Sequence, residues 1–339
     1  MVGIALLGAG IFAREEHLPA IQAAPNLNLL AIYSRSQTSA DALASSAKSP
    51  VDVYFDSPSP PSGKSLDDLL ARRDIEAVIV VLPINNQPEI IKKALAAGKH
   101  VLSEKPVARD VATAQELIGW YRSLGGSHAP IWAVAENFRY AKSLTDAAEA
   151  VRELGGKVVT FHLKRYGFVR EDDKYFNTEW RKTPNYQGGF LLDGGVHFVA
   201  GLRLLLAAGG EEVTQVSSLA SLLVDRLGPV DTVHAVATTA SGATGTVTVT
   251  FGTQHKSGLE IEVVTTNGVV NWNPRHVTVV GKSERDYEYD SGVKAEVAAF
   301  GRSVEAGTPD PLQTPEEALG DLRVLEGLLV SGGQLKSVV

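Results

Sequence analysis

The chain has 339 residues, 44% of them hydrophobic and 21% charged, with a formal net charge of −7 and no cysteine. This length favours two domains, and an acidic balance without long runs of one sign argues against a nucleic-acid-binding protein. The absence of cysteine excludes disulfides, thiolate nucleophiles and cysteine-ligated metals, and it agrees with a cytoplasmic protein.

The N-terminal segment is apolar, but it lacks a basic region and runs directly into Arg14-Glu15-Glu16, unlike a signal peptide. No apolar run approaches the roughly 20 residues of a membrane-spanning helix. We therefore expect no membrane partner.

The first part of the chain alternates apolar strands with helical segments. Val2 to Leu7 is apolar without alternation, as expected for a strand buried on both faces of a sheet. Further strands are expected at 27–33, 77–82, 101–103 and 131–135. Strands that alternate with helices predict a doubly wound parallel sheet.

A glycine motif, Gly8-x-Gly10-x-x-Ala13, lies between the first strand and a helix. The first glycine allows the tight turn, the second lets a pyrophosphate approach the backbone, and the small alanine lets the helix pack closely. The helix N-terminus would then face the phosphates. The motif predicts a dinucleotide site that includes Ile11 and Phe12, with an incidental glycine turn as the alternative.

The end of the second strand suggests which dinucleotide binds. An acidic residue there would grip the ribose 2′-OH of NAD(H), but Ser34 and Arg35 stand at this place. A hydroxyl beside a guanidinium suits a 2′-phosphate. We therefore favour NADP(H), with a solvated loop arginine as the alternative.

Polar residues also follow the later strands, on the side where such sheets bind ligands. Leu82, Pro83, Asn85 and Gln87 are expected to line the phosphates or ribose, unless they only cap the next helix. Within 136–140, Asn137 and Arg139 are expected at the nicotinamide or the substrate, with a polar strand end as the alternative.

Glu104-Lys105-Pro106 follows a short apolar run. Proline fixes its own φ and pushes the preceding residue out of the helical region. Lys105 is therefore held on a stiff, extended connection that can aim its ammonium group into a cleft. We assign Glu104 and Lys105 to the cofactor site as well.

The pattern changes after a helix expected at 142–154. Alternating segments from Val158 to Val280, with hairpin signals at Ser241-Gly242 and Asn267-Gly268, predict a mostly antiparallel sheet with one wet face. An insertion at 167–206 interrupts it and ends in a helix. Helical patterns return at 294–305 and 315–329.

Asp193 and His197 lie four positions apart in the insertion, on one side of a helical turn. Histidine suits acid–base chemistry near neutral pH, and the aspartate could orient it or the substrate. Two metal ligands, or a helix cap beside a packed histidine, are the alternatives. No third ligand is visible, so we assign no metal.

The other histidines, His17 among them, are isolated and expected to be structural or solvated.

Five segments together resemble the Gfo/Idh/MocA oxidoreductase family, named for glucose–fructose oxidoreductase, inositol dehydrogenase and a rhizopine-catabolism protein. They are Gly8–Ala13, Leu82–Gln87, Glu104-Lys105-Pro106, Glu136–Tyr140 and Gly188-Gly189-x-x-x-Asp193-x-Gly195-x-His197. They occur in the family's order over nearly the whole chain, and the run from 80 to 108 most resembles fungal NADP(H)-dependent members.

The resemblance implies a Rossmann domain, which we place at 1–137, and an α/β domain with an open mixed sheet at 138–339. The C-terminal helices are free to pack back on the first domain. It also implies that Lys105, Asp193 and His197 are catalytic. Gln87 stands where many members have histidine, and Ala200 where many have aspartate, so a helper carboxylate is missing.

The expected function is an NADP(H)-dependent transfer of hydride between nicotinamide and the CH–OH or C=O of a small sugar, polyol, cyclitol or related carbonyl. Trp180, Arg181 and Tyr186, with Arg139, are expected at the substrate. Two alternatives stay open: a regulatory protein that senses the nucleotide, and a glycoside hydrolase that uses the cofactor without net turnover. The open sheet face is expected to pack on a second copy, giving a homodimer or a dimer of dimers.

Overall fold

The computed structural model describes residues 1–125 and 129–339. The strands in these ranges are β1 Val2–Leu7, β2 Leu27–Ser36, β3 Asp52–Ser57, β4 Ala77–Val80, β5 His100–Glu104, β6 Trp132–Ala135, β7 Val158–Tyr166, β8 Val213–Ser221, β9 Thr232–Thr239, β10 Thr244–Thr250, β11 Gly258–Thr265, β12 Gly268–Asn273, β13 His276–Val279, β14 Ser283–Asp286 and β15 Lys336–Ser337. The helices are α1 Leu18–Ala23, α2 Gln37–Ala44, α3 Leu66–Leu70, α4 Gln87–Ala96, α5 Val111–Ser123, α6 Lys142–Leu154, α7 Glu179–Lys182, α8 Gly189–Ala208, α9 Val293–Ala306 and α10 Pro315–Val330.

The chain forms two compact units. One consists of Met1–Glu136 with Val293–Ala318, and the other of Asn137–Gly292 with Leu319–Val339. The first unit is therefore not one continuous stretch of sequence. Its later segment includes α9, which packs against α1.

The first unit is built on a parallel sheet in the order β3-β2-β1-β4-β5-β6. β1 and β4 are buried at every position, which explains their continuous apolar sequences. Because strand order reverses direction beside β1, the carboxyl ends of β1 and β4 border the crevice where such sheets bind ligands. The doubly wound parallel sheet is confirmed.

β3 is a strand that sequence patterning alone did not identify. Its burial is confined to Tyr54 and Phe55, while Val53 is half-buried and the polar residues at its two ends are exposed. It pairs with β2 alone and forms the edge of the sheet. An edge strand of this kind carries too few apolar positions to reveal a period of two.

The second unit is built on a mixed sheet in the order β14-β13-β12-β11-β7-β10-β9-β8-β15. The pair β7–β10 is parallel, and the other neighbouring pairs are antiparallel. Phe161, Leu163, Val247 and Val249 point to the buried face, with polar residues between them. This alternation confirms the mostly antiparallel, half-exposed sheet.

α8 corrects one expectation from the sequence. Its 20 residues are long and apolar enough, by length and composition, to cross a membrane, although no such run was expected. Asp193, His197 and Arg203 interrupt the sequence, which obscures the run. In the structure, 67% of its most apolar window is buried, as expected for the core helix of a globular unit.

Three charged side chains form a buried network in the second unit. Arg139 and Asp321 are both 1% exposed, and an Arg139 Nη2–H donates to Asp321 Oδ2. Arg203 Nη1 donates to the other oxygen, Oδ1, at 2.6 Å. Removing one member of such a network leaves an uncompensated buried charge. Arg139 therefore contributes to the packing of this unit.

We expect Asp321→Asn to destabilise the protein by about 3–5 kcal/mol, because both guanidinium groups lose their carboxylate. Urea denaturation followed by circular dichroism measures this. Glu149→Gln is the matched control in the same unit: its pair with Arg152 has both side chains 60% exposed, so we expect less than about 0.5 kcal/mol. Equal effects of the two substitutions would contradict the structural role of the network.

Candidate functional site

The loop after β1 has the geometry that a dinucleotide requires. Gly8 has φ +120°, and a Cβ there would lie 2.1 Å from the carbonyl oxygen of Val81, so a side chain is excluded. A Cβ on Gly10 would meet nothing within 4 Å. Open space beside a backbone loop is what a pyrophosphate needs in order to approach it. The predicted residues therefore fit a nicotinamide dinucleotide at this loop.

The loop leads into a helix whose first part is unusually wide. Ala13–His17 forms a π-type turn that continues as α1, and Ala13 is fully buried. Ile11 and Phe12, two of the predicted cofactor residues, are half-buried at its start. The small side chain at 13 allows the close packing that the glycine motif predicts.

An acidic residue that the sequence did not indicate lies beside the end of β2. Arg35 is exposed, and Ser34 is half-buried and pairs with Phe55 of β3. The Tyr33 hydroxyl donates to Asp56 Oδ2 at the end of β3. Burial, and then Asp56, raise the pKa of Tyr33, whereas Arg35 opposes the rise. Ser34 and Arg35, which are predicted to bind a 2′-phosphate, therefore lie near the carboxylate of Asp56.

The residues after β4 form a short turn and then α4. Ile84–Asn86 is a single helical turn in which Asn86 N–H donates to the Pro83 carbonyl at 2.8 Å. Asn85 is exposed, whereas Gln87 is 2% exposed. Gln87 Oε1 has no hydrogen-bond partner within the described ranges. A buried acceptor of this kind calls for a water or ligand donor, and it lies at the ligand edge of the sheet.

Lys105 follows β5 directly and is half-buried. The Lys105–Pro106 peptide bond is cis. The preceding residue, Glu104, is 9% exposed, and its Oε1 lies 2.6 Å from Nε2 of His17. His17 is therefore not isolated: residues 87 positions apart meet at the predicted catalytic turn. Nothing in the local sequence around His17 indicates this partner.

In the second unit, Asp193 and Arg181 form an ion pair. Arg181 Nε donates to Asp193 Oδ2 at 2.8 Å, and the two side chains are 15% and 8% exposed. The Arg181 guanidinium stacks on the ring of Trp180, 4.0 Å from its centroid. The structure thus groups two of the residues predicted at the substrate with the predicted catalytic aspartate.

Tyr186 belongs to the same group. Its ring centroid is 6.3 Å from that of Trp180, and its buried hydroxyl has no hydrogen-bond partner among the residues that the structure describes. Burial and the negative charge of Asp193 raise the pKa of Tyr186, against the opposing effect of Arg181. The phenol therefore stays protonated at neutral pH and is available as a hydrogen-bond donor.

His197 stacks on an aromatic ring that the sequence analysis passed over. Phe138 lies parallel to the imidazole, with 4.8 Å between centroids and an interplanar angle of 18°. Its neighbour Asn137 donates through Nδ2 to the carbonyl of Ser291, and Arg139 binds Asp321. Phe138, within the segment 136–140, thus contacts the predicted catalytic histidine.

No group of three or more His, Cys, Asp or Glu side chains suited to a metal ion occurs within residues 1–125 and 129–339.

Sequence comparison identifies two family matches. Residues 2–127 match the "Oxidoreductase family, NAD-binding Rossmann fold" of the GFO/IDH/MocA proteins, and residues 133–271 match the "GFO/IDH/MocA C-terminal domain". Together these matches cover most of the chain: the first includes β1 to β5 of the parallel sheet, and the second includes most of the mixed sheet.

Individual relatives with similar sequences are also named as dehydrogenases or oxidoreductases. Dehydrogenase FPY6 of Fusarium mangiferae is 54% identical over 349 residues, which cover 100% of this chain and 99% of the relative. D-xylose 1-dehydrogenase (NADP(+)) 2 of Haloferax volcanii is 26% identical over 340 residues, 96% of each chain. The crystal structure of an oxidoreductase from Thermotoga maritima is 29% identical, with a TM-score of 0.87 over 99% of this chain and 98% of that one. The chain belongs to the Gfo/Idh/MocA family of oxidoreductases.

Proposed function

We propose that the protein is an NADP(H)-dependent oxidoreductase that acts on the CH–OH or C=O group of a small sugar, polyol, cyclitol or related carbonyl compound. The observation that carries the proposal is the position of Lys105. β1, β4 and β5 are adjacent and parallel, so Gly8 and Lys105 follow strands two positions apart at the same sheet edge. Adjacent strands are about 4.8 Å apart, which gives a separation of roughly 10 Å between these strands.

The side chains supply the polar chemistry of the reaction. Nicotinamide, when bound, accepts or donates the hydride at the reacting carbon. The Lys105 ammonium donates a hydrogen bond to the substrate oxygen and stabilises its alkoxide character. The His197 imidazole takes up the hydroxyl proton during oxidation and returns it during reduction. Asp193, held by Arg181, accepts a hydrogen bond from a neighbouring hydroxyl of the substrate.

The substrate class is proposed from the polar groups around Asp193. Tyr186 offers a protonated hydroxyl, and Trp180 offers an aromatic surface; hydroxyl-rich compounds can use both. The names of the relatives, a dehydrogenase and a xylose dehydrogenase, support a small hydroxyl-bearing substrate. We leave Arg139 out of the substrate site, because its guanidinium is buried against Asp321.

We expect Lys105→Ala and His197→Ala each to lower kcat/KM by 10²–10⁴-fold, the usual loss for a general acid–base or oxyanion-stabilising group. A screen of sugars, polyols, aldehydes and ketones with NADP and NADPH, read at the nicotinamide absorbance, identifies the substrate for this assay. Fluorescence titration should show NADPH affinity changed much less than turnover.

Lys93→Ala and His255→Ala are the matched controls, since each removes an exposed side chain of the same type in the same unit. Both controls should keep native rates. If Lys105→Ala and His197→Ala also keep them, the regulatory alternative replaces the enzyme. Substrate cleavage without net change in nicotinamide absorbance would favour the glycoside hydrolase.

The preference for NADP(H) is the finer part of the proposal. It is supported by Ser34 and Arg35 at the end of β2 and by the absence of an acidic residue within that strand end. The xylose dehydrogenase relative is named for NADP(+), whereas the family description names NAD, so membership alone does not select the cofactor. Asp56 on β3 is a nearby group that favours a ribose hydroxyl instead.

We expect Arg35→Ala to weaken NADPH binding by roughly 1.5–3 kcal/mol, the usual value of a hydrogen bond to a charged group, and to leave NADH binding nearly unchanged. Fluorescence titration with each nucleotide measures both affinities. Arg35→Lys is the matched control and should retain part of the preference, because it keeps the charge but not the planar fork. Tighter binding of NADH than NADPH by the native protein would contradict the assignment.

We also propose that the exposed face of the mixed sheet packs against a second copy of the chain. This face presents Val236, 51% exposed, and Leu219, 70% exposed, among threonine and histidine side chains. A two-fold interface would cover these apolar residues.

Light scattering should give a molar mass that is a multiple of 36.1 kDa, and Val236→Asp should reduce this mass. A 36.1 kDa species for the native protein at micromolar concentration would exclude the dimer.

A further inference from the structure

His17 is a buried polar side chain for which the proposed reaction has no use. It is 0% exposed, at the end of the Ala13–His17 turn that follows the glycine loop. Its Nε2 lies 2.6 Å from Glu104 Oε1, and the Glu104 side chain is 11% exposed. A short, buried hydrogen bond between a histidine and a carboxylate restrains both side chains strongly.

The partners of the imidazole define its tautomer. A hydrogen on Nε2 is needed to donate to the carboxylate of Glu104. Nδ1 is buried and has no hydrogen-bond partner in the described part of the chain. The contact with Glu104 therefore places a hydrogen on Nε2 of His17.

The His17–Glu104 pair connects two functional segments of the first unit. On one side, the imidazole makes an edge-to-face contact with Phe12 of the glycine loop, with 5.4 Å between ring centroids. On the other side, Glu104 is the residue bonded to Lys105 in the chain. With its carboxylate held, Glu104 has little freedom to rotate, so the backbone that carries Lys105 is restrained as well.

We propose that His17 is a positioning residue: its Nε2–H holds the Glu104 carboxylate and thereby fixes the direction of the Lys105 side chain beside the dinucleotide loop. The inference rests on the proposed role of Lys105 in hydride transfer. A displacement of about 1 Å at a reacting group can cost on the order of 10²-fold in rate, so restraint of this lysine has a measurable consequence.

Two substitutions of similar polarity separate the positioning role from general packing. In glutamine, the amide nitrogen is as many bonds from Cβ as Nε2 is in histidine, whereas the asparagine amide nitrogen corresponds to Nδ1. His17→Gln can therefore still donate to Glu104, and His17→Asn cannot reach it. We expect His17→Asn to lower kcat about 10–100-fold and His17→Gln to stay within about 3-fold of native, at similar NADPH affinity.

A double-substitution cycle tests whether the effect acts through Lys105. In a Lys105→Ala background, His17→Asn should cause no further loss of kcat, because the group that it positions is gone. Equal losses in both backgrounds would overturn the inference and assign His17 to packing. Native turnover in Lys105→Ala alone would overturn the proposed function, and with it the role of His17.

A measurement without substrate or cofactor tests the positioning directly. The lysines of the protein are labelled by reductive methylation with ¹³C-formaldehyde, and the Lys105 signal is identified by its loss in Lys105→Ala. His17→Asn should shift or broaden this signal, and His17→Gln should restore it. If the signal is unchanged in His17→Asn while Lys105→Ala is inactive, the positioning inference fails and the proposed function stands.

Discussion

Parallel pairing of β1, β4 and β5 is the constraint on which the dinucleotide unit depends. It places the carboxyl ends of the three strands side by side. Gly8 follows β1, the turn that leads to Gln87 follows β4, and Lys105 follows β5. The pairing requires close backbone contact at Gly8, whose absent Cβ would otherwise meet the Val81 carbonyl. A glycine is therefore needed for packing at this position and, through the loop that it begins, for an approachable backbone.

The buried polar groups are of two kinds, those that are fully paired and those that keep an atom without a partner. In the second unit, Asp321 is shared by Arg139 and Arg203, and this network serves packing. The Arg181–Asp193 pair has the same chemistry but lies beside a buried Tyr186 hydroxyl that lacks a partner within the described residues. In the first unit, His17 leaves one nitrogen unpaired in the same sense. Unsatisfied polar atoms mark the groups that packing alone does not explain.

The proposed positioning role of His17 follows from this arrangement. Lys105 has a flexible side chain, and in the proposed mechanism its direction is restrained by the turn that carries it and by the partner of Glu104. His17 comes from the helix that begins at the glycine loop, and its ring contacts both Phe12 and Glu104. These two contacts connect the glycine loop to the turn that carries Lys105.

The sequence by itself determined the type of each sheet, though not the edge strand β3, together with the glycine loop and the Glu104-Lys105-Pro106 turn, because these depend on local periodicity and on residues close together in the chain. Only the tertiary structure decided that Phe138 stacks on His197, and that His17 pairs with Glu104. Both outcomes depend on the direction of a side chain and on partners far along the chain. Local patterns contain no information about either, since hydrogen bonds and ring contacts form only after the chain has folded.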